Sequence, residues 1–200
     1  MNMLMAVIMM ILARHATDDS RSMAKWLELL NEDDGLAGHQ ILVNAAPTAI
    51  DDFEKILNDP KTDRFRLGRL YSVLAEAKID HNRFLKPAFR DLQHKDPIMR
   101  GIAAHFLGKV GSPRETGPLL VLLSDSDISV VFAALYALGK IGDDRTIVAL
   151  NLWQRFNNDP KDYPKDQTSP WKTVNKVRDE IQARLDTTKK TPPVAPMPKN

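Results

Sequence analysis

The sequence predicts an all-α fold built from tandem antiparallel helix pairs. Three observations predict it: an internal repeat, apolar residues recurring at spacings of three and four through most of the chain, and no sustained strand-type alternation. Placing Pro87–Leu119 on Pro118–Leu150, a shift of 31 residues, pairs Pro87/Pro118, Leu92/Leu123, Asp96/Asp127, Ala103/Ala134, Leu107/Leu138, Gly108/Gly139, Lys109/Lys140, Gly111/Gly142, Arg114/Arg145 and Leu119/Leu150. These are ten identities in 33 pairs, and Val110 opposite Ile141 completes two copies of Leu-Gly-Lys-(Val/Ile)-Gly.

The elements follow in order. Met3 to Ala13 is an unbroken apolar run of 11 residues, too short to span a bilayer, which takes about 20. Residues 1–17 therefore stand as a buried helix, as an export or membrane-associating segment, or as a misassigned start; no Lys or Arg precedes the run and no Ala-x-Ala site follows it. A helix near 18–31 puts Met23, Trp26, Leu27 and Leu30 on one face. Asp34, Asp63, Asp96 and Asp127 then precede successive first helices at steps of 29, 33 and 31 residues. Four helix pairs are expected, near 35–58, 63–94, 97–124 and 128–156, with Thr48-Ala-Ile-Asp51 as a capping-box-like start.

In the last pair Ile128, Val131, Leu135 and Leu138 form the stripe of the first helix, and Ala149, Leu152, Trp153 and Phe156 one face of the second. Pro118 fits only within a first helical turn. Gly111 and Gly142 are expected at helix ends with positive φ, while Gly108 and Gly139, one turn earlier, permit close helix approach. Residues 157–169 read as a polar linker. Pro170 opens a last helix over 170–186, and 187–200, with prolines at 192, 193, 196 and 198, reads as a disordered tail. The solenoid domain proper is expected over 18–156.

The block Asp96-Pro-Ile-Met-Arg-Gly-Ile-Ala-Ala-His-Phe-Leu-Gly-Lys-Val-Gly111 and its copy Asp127 to Gly142 resemble the HEAT-like repeats of the phycobilisome-lyase type. The resemblance is good over about 87–156, fair back to about 34, and absent from both ends. It implies an α-solenoid of stacked antiparallel helix pairs. It implies no activity, since such repeats occur in bilin lyase subunits, in deoxyhypusine hydroxylase and in bacterial proteins of adaptor type.

The residues offer little chemistry. No cysteine is present, which excludes disulfide scaffolds, Cys-ligated zinc and thiol catalysis. None of His15, His39, His81, His94 and His105 lies three or four residues from another histidine, and none precedes a glutamate. Neither H-E-x-x-H nor the His-Glu pairs that hold iron in deoxyhypusine hydroxylase is therefore present. His105 aligns with Tyr136 and reads as a structural histidine. Asp125-Ser-Asp127-Ile-Ser129 has the spacing that opens a calcium loop, but Val130 and Tyr136 stand where that loop needs glycine and glutamate, and an Asp-capped turn accounts for it. No catalytic residue, metal or cofactor is assigned.

Charge along the chain is more informative than its net value of +2. Residues 15–60 hold 3 Lys+Arg against 10 Asp+Glu, whereas residues 61–100 hold 10 against 5. Arg83, Lys86 and Arg90 share a helix face, with His94 nearby. The expected function is a non-catalytic protein–protein interaction scaffold, with Arg83, Lys86, Arg90 and His94 receiving an acidic extended partner segment. By the resemblance, the alternative is a bilin lyase-like subunit. Nucleic-acid binding through the basic stretch 61–100 is the lesser alternative, because aromatics that could stack on bases are not interleaved with the charges. Pro193-Val-Ala-Pro196 matches a polyproline ligand only by pattern. Membrane association would rest on residues 3–13 alone. The compartment stays open between the cytoplasm, to which the reading leans, and an exported or membrane-associated location.

Overall fold

The computed structural model describes residues 25–30, 35–157 and 169–190. The expectations for residues 1–17 and for the tail from 191 onward lie outside the described residues, as does most of the linker. Among the described residues there is no strand, and no helix is long and apolar enough to cross a membrane. The helices are α1 (25–30), α2 (Gly35–Ala45), α3 (Ile50–Asn58), α4 (Arg64–Glu76), α5 (Asn82–Asp91), α6 (Pro97–Val110), α7 (Thr116–Val121), α8 (Ile128–Ile141), α9 (Asp144–Phe156) and α10 (Pro170–Lys190). Short 3-10 turns, Pro113–Glu115 and Leu122–Ser124, flank α7. The chain divides into two compact units, Met1–Pro87 and Ala88–Asn200.

In the first unit, α2 and α3 both pack on α4. Leu42, Phe53, Ile56, Leu57, Leu70, Tyr71 and Leu74 are almost wholly removed from solvent. Trp26 of α1 meets Phe53 edge-on at 5.5 Å and donates from Nε1 to Asp52 Oδ2 at 3.0 Å, so the polar end of the ring is satisfied while its body is buried. Asp63 caps α4 as expected, accepting from the backbone N–H groups of Phe65 and Arg66. The capping box expected at Thr48 does not form. Helix α3 starts at Ile50 behind Ala49 with no side-chain cap, and the Thr48 hydroxyl donates back to the Ala45 carbonyl at 2.9 Å, closing α2 rather than opening α3.

The second unit carries the repeat. Asp96 and Asp127 cap α6 and α8 through the N–H groups of Ile98 and Ser129, and Asp143 caps α9 in a box with Thr146. Pro118 lies third in α7, inside the first turn, where its missing N–H has no helical acceptor to lose. Successive first helices pack side by side, α6 on α8. Their backbones approach so closely at Gly108 that a Cβ there would lie 2.7 Å from Ala137 Cα. Helix α10 then packs on α8 and α9, in the place a further first helix would occupy. Val174, Val177 and Ile181 are buried, while Lys172, Lys176, Asp179, Gln182 and Asp186 are exposed. A polar outer face of this kind ends a stack of repeats, because nothing apolar remains for a further helix to cover. With neighbours on two sides, α8 buries Val130, Ala134, Ala137 and Ile141 in addition to Val131, Leu135 and Leu138 of the expected stripe; Ile128, at its start, stays 45% exposed.

Arg184 joins α10 to the end of α8, donating to the carbonyl oxygens of Gly139, Lys140 and Gly142. These are carbonyls that a helix C-terminus leaves without intrahelical donors, and a guanidinium there also complements the helix dipole. Helix α10 runs to Lys190, past the expected end at residue 186, with the Thr187 and Thr188 hydroxyls bonded to the Ala183 and Arg184 carbonyls.

The expected positive φ at the two repeat-end glycines is wrong. Gly111 has φ −75° and Gly142 φ −62°, both with extended ψ, a backbone any residue adopts. Glycine is required for space instead. A Cβ at Gly111 would lie 2.5 Å from the Leu107 carbonyl oxygen that its own N–H bonds, and at Gly142 it would lie 2.5 Å from the Leu138 oxygen and 2.8 Å from Ile181 Cδ1. Gly108 and Gly139 differ as well. Gly139 would meet only the Glu180 carboxylate within 3.0 Å, the mobile end of a long side chain.

Substitution separates these causes. Gly108→Ala and Gly142→Ala should each destabilise the protein by about 1–3 kcal/mol through overpacking against backbone, whereas Gly139→Ala should be neutral or stabilising by up to about 1 kcal/mol. Thermal melts of the three variants test this ordering, and a Gly108→Ala variant as stable as Gly139→Ala would refute the close approach of α6 and α8.

Candidate interaction surface

Helix α5 displays the basic residues that the sequence singled out, but not as bare charge. Arg83, Lys86 and Arg90 are exposed at spacings of three and four. The Arg83 guanidinium reaches across to α3, where it binds Asp51 at 2.7 Å and Glu54 through Nε at 3.0 Å; hydrogen bonds to Asp51 and then Glu54 raise its pKa further. Arg90 folds onto its neighbour Asp91, whose carboxylate is only 5% exposed, at 2.8 Å. His94 leaves the row. It is half-buried beyond the end of α5, where Nδ1 accepts from the Asp96 N–H at 3.0 Å and so shapes the turn that starts α6. Lys86 lies exposed between Arg83 and Arg90.

Next to that turn sits an ion pair that no spacing in the sequence reveals. Arg100 donates from Nε and Nη2 to the two oxygens of Asp125, each at 2.7 Å, and from Nη1 to the His94 carbonyl at 2.9 Å. The side chains are 14% and 8% exposed. One planar fork thereby holds the turn before α6 and the turn before α8 together. The Arg100 hydrogen bonds hold the Asp125 carboxyl below its ordinary range against the opposing effect of burial. Asp125 also accepts from the Asp127 N–H, and Asp127 from Ser129, so protein donors occupy the oxygens that resembled a calcium loop. Among the described residues no group of three or more His, Asp or Glu could hold a metal ion.

The alignment of His105 with Tyr136 becomes a physical contact. Their rings stack at 4.8 Å with planes 9° apart on the outer side of α6 and α8, and the Lys140 ammonium lies 5.3 Å above the Tyr136 ring. Burial and then the Lys109 charge lower the His105 pKa, which favours the neutral imidazole.

The second helix of the last pair corrects the sequence. Leu152 and Phe156, expected to share one apolar face with Ala149 and Trp153, are 48% and 78% exposed, and Val148 is 59% exposed. The buried residues of α9 are Thr146 and Leu150. Helix α10 sets this rotation. Gln154 donates to the Trp171 carbonyl at 2.7 Å, the Trp171 indole donates to the Gln154 carbonyl at 3.3 Å, and Arg178 bonds Asn151. These bonds set the 151–154 side of α9 against α10, and Val148, Leu152 and Phe156 lie on another side, exposed.

In the second unit, capped helix pairs stacked first helix upon first helix form an all-α solenoid stack. Residues 87–168 match the model of a family described as HEAT repeats, a match that starts at the same proline as the internal repeat. No curated protein matches the chain.

Asp125→Asn should cost about 1–3 kcal/mol by removing the charge from a near-buried bidentate pair. The depressed carboxyl pKa fixes the sign of its pH dependence: the stabilisation is present above the ordinary value of 3.8 and is lost as pH falls through the lower folded value. Urea melts from pH 7 to pH 2 should therefore show a shallower acid loss for the variant than for the parent, and parallel curves would refute the linkage.

Proposed function

We propose that the protein is a non-catalytic scaffold or adaptor that binds an acidic, extended segment of a partner protein across Arg83, Lys86, Arg90 and His94. The observation that carries the reading is the match to HEAT repeats, which commonly serve as protein-interaction scaffolds, joined to a row of exposed basic side chains along α5. A row of cations along one helix suits a carboxylate-bearing ligand, because the charges steer the encounter. The pairing of Arg83 with Asp51 and Glu54 orients its guanidinium and lowers the net positive field, which favours a peptide carboxylate over the dense charge of a nucleic-acid backbone. The lyase-like alternative rests on the resemblance of Leu-Gly-Lys-(Val/Ile)-Gly to phycobilisome-lyase repeats, and it requires a bilin to be retained with a shifted absorption band.

Lys86→Glu should reduce capture of an acidic peptide in a binding titration while changing stability by less than about 0.5 kcal/mol, since Lys86 is exposed. Reversal of Arg83 and Arg90 as well should abolish capture. Undiminished capture by the triple variant, or retention of a bilin by the parent protein, would contradict the reading.

A further inference from the structure

We infer that Asp51 and Glu54 are a built-in competitor of the basic row: they occupy Arg83 in the free protein, and a carboxylate-bearing partner segment binds by displacing them. The inference rests on the scaffold reading and adds its regulation, together with the form of ligand that Arg83 takes. Arg83 donates from Nε to Glu54 at 3.0 Å, and its Nη2 meets both Glu54 and, at 2.7 Å, Asp51. One guanidinium thus holds two carboxylates three residues apart on α3. A planar fork of donors filled by carboxylate oxygens is the contact that an acidic ligand would make, supplied here in cis.

The surroundings separate this contact from a structural tie. Asp52, between the two carboxylates, serves the Trp26 indole and the Lys55 ammonium instead. The side chains of Asp51 and Glu54 have no partner but Arg83 among the described residues, and neither caps α3, which starts without a side-chain cap. All three groups meet water: the Arg83 side chain is 41% exposed, Asp51 74% and Glu54 35%. Ion pairs in such a setting add little to folding, so the release of Arg83 disturbs the fold little. Arg90 is the contrast. Its partner Asp91 is 5% exposed, and opening that pair would take a cation from a buried carboxylate. Displacement therefore falls on Arg83, one turn from the exposed Lys86. The segment that displaces the pair carries two carboxylates within reach of one guanidinium, as Asp51 and Glu54 are one helical turn apart. A contact in cis that is closed about nine-tenths of the time lowers the apparent affinity for that segment about tenfold.

The test is fluorescence anisotropy with the full-length protein and a labelled peptide of about 12 residues carrying pairs of Glu. The double variant Asp51→Asn/Glu54→Gln should bind this peptide about tenfold more tightly than the parent, with an unchanged circular dichroism spectrum. Removing two negative charges also strengthens the general field, so a second background isolates the release of Arg83. In Arg83→Gln the same two substitutions should change the affinity by about threefold or less. A tenfold gain in both backgrounds overturns the inference, because the carboxylates then act through the field alone. Equal binding by the parent and the double variant, with weaker binding by Lys86→Glu, overturns it while leaving the scaffold reading intact. No binding of the peptide by the double variant at about 100 μM overturns both.

Discussion

The contact on which the second unit depends is the backbone approach of α6 to α8 at Gly108 and Ala137. A missing Cβ at one position and a methyl group at the other let two helices lie closer than larger side chains would allow. That proximity aligns the first helices and brings His105 over Tyr136. The intervening α7 packs on α8 beside this contact. Close packing tolerates little adjustment, so the same geometry cannot be reached with a larger residue at Gly108 without moving one whole helix.

Around this contact the chain resolves its polar backbone with both short-range and long-range devices. Asp63, Asp96, Asp127 and Asp143 each satisfy helix N-terminal donors within two or three residues. Arg100 and Arg184 work at longer range. The first ties the turn before α6 to Asp125, and the second closes the carbonyl end of α8 from α10. Both are arginines because a planar fork of donors can serve several acceptors at once, which a lysine ammonium does less specifically. Together they satisfy carbonyl groups in the turn before α6 and at the end of α8.

How much of this was legible follows from the range over which each determinant acts. The Asp caps, the helix pairs and Pro170 at the start of α10 are set by neighbours a few residues away, and periodicity with local chemistry locates them. At Gly111 and Gly142 the sequence suggests a left-handed cap where the structure needs a steric gap, because both leave the same letter in the sequence. Thr48 misled in a similar way, since its hydroxyl serves the preceding helix as readily as the following one. The role of α10 was not legible: it shares no repeat motif, and its part as the next stacked helix rests on Val177 and Ile181 meeting Gly139 and Gly142. The rotation of α9 depends on α10, so the misplacement of Leu152 and Phe156 follows from the same gap. On α5, spacing placed Arg83, Lys86 and Arg90 on one face, but the carboxylates that Arg83 meets come from α3, and nothing local announces them.

Helix α10 is therefore the element on which the account turns, since it ends the stack, caps α8 and orients the face of α9. Native-state hydrogen exchange on the full-length protein measures its integration most directly. Amides of Val174, Val177 and Ile181 should exchange with opening free energies within about 1 kcal/mol of those of Leu135 and Leu138, because the helices open as one unit. Exchange in α10 faster by several orders of magnitude, with α8 still protected, would mean that α10 is an appendage and that the stack ends at α9.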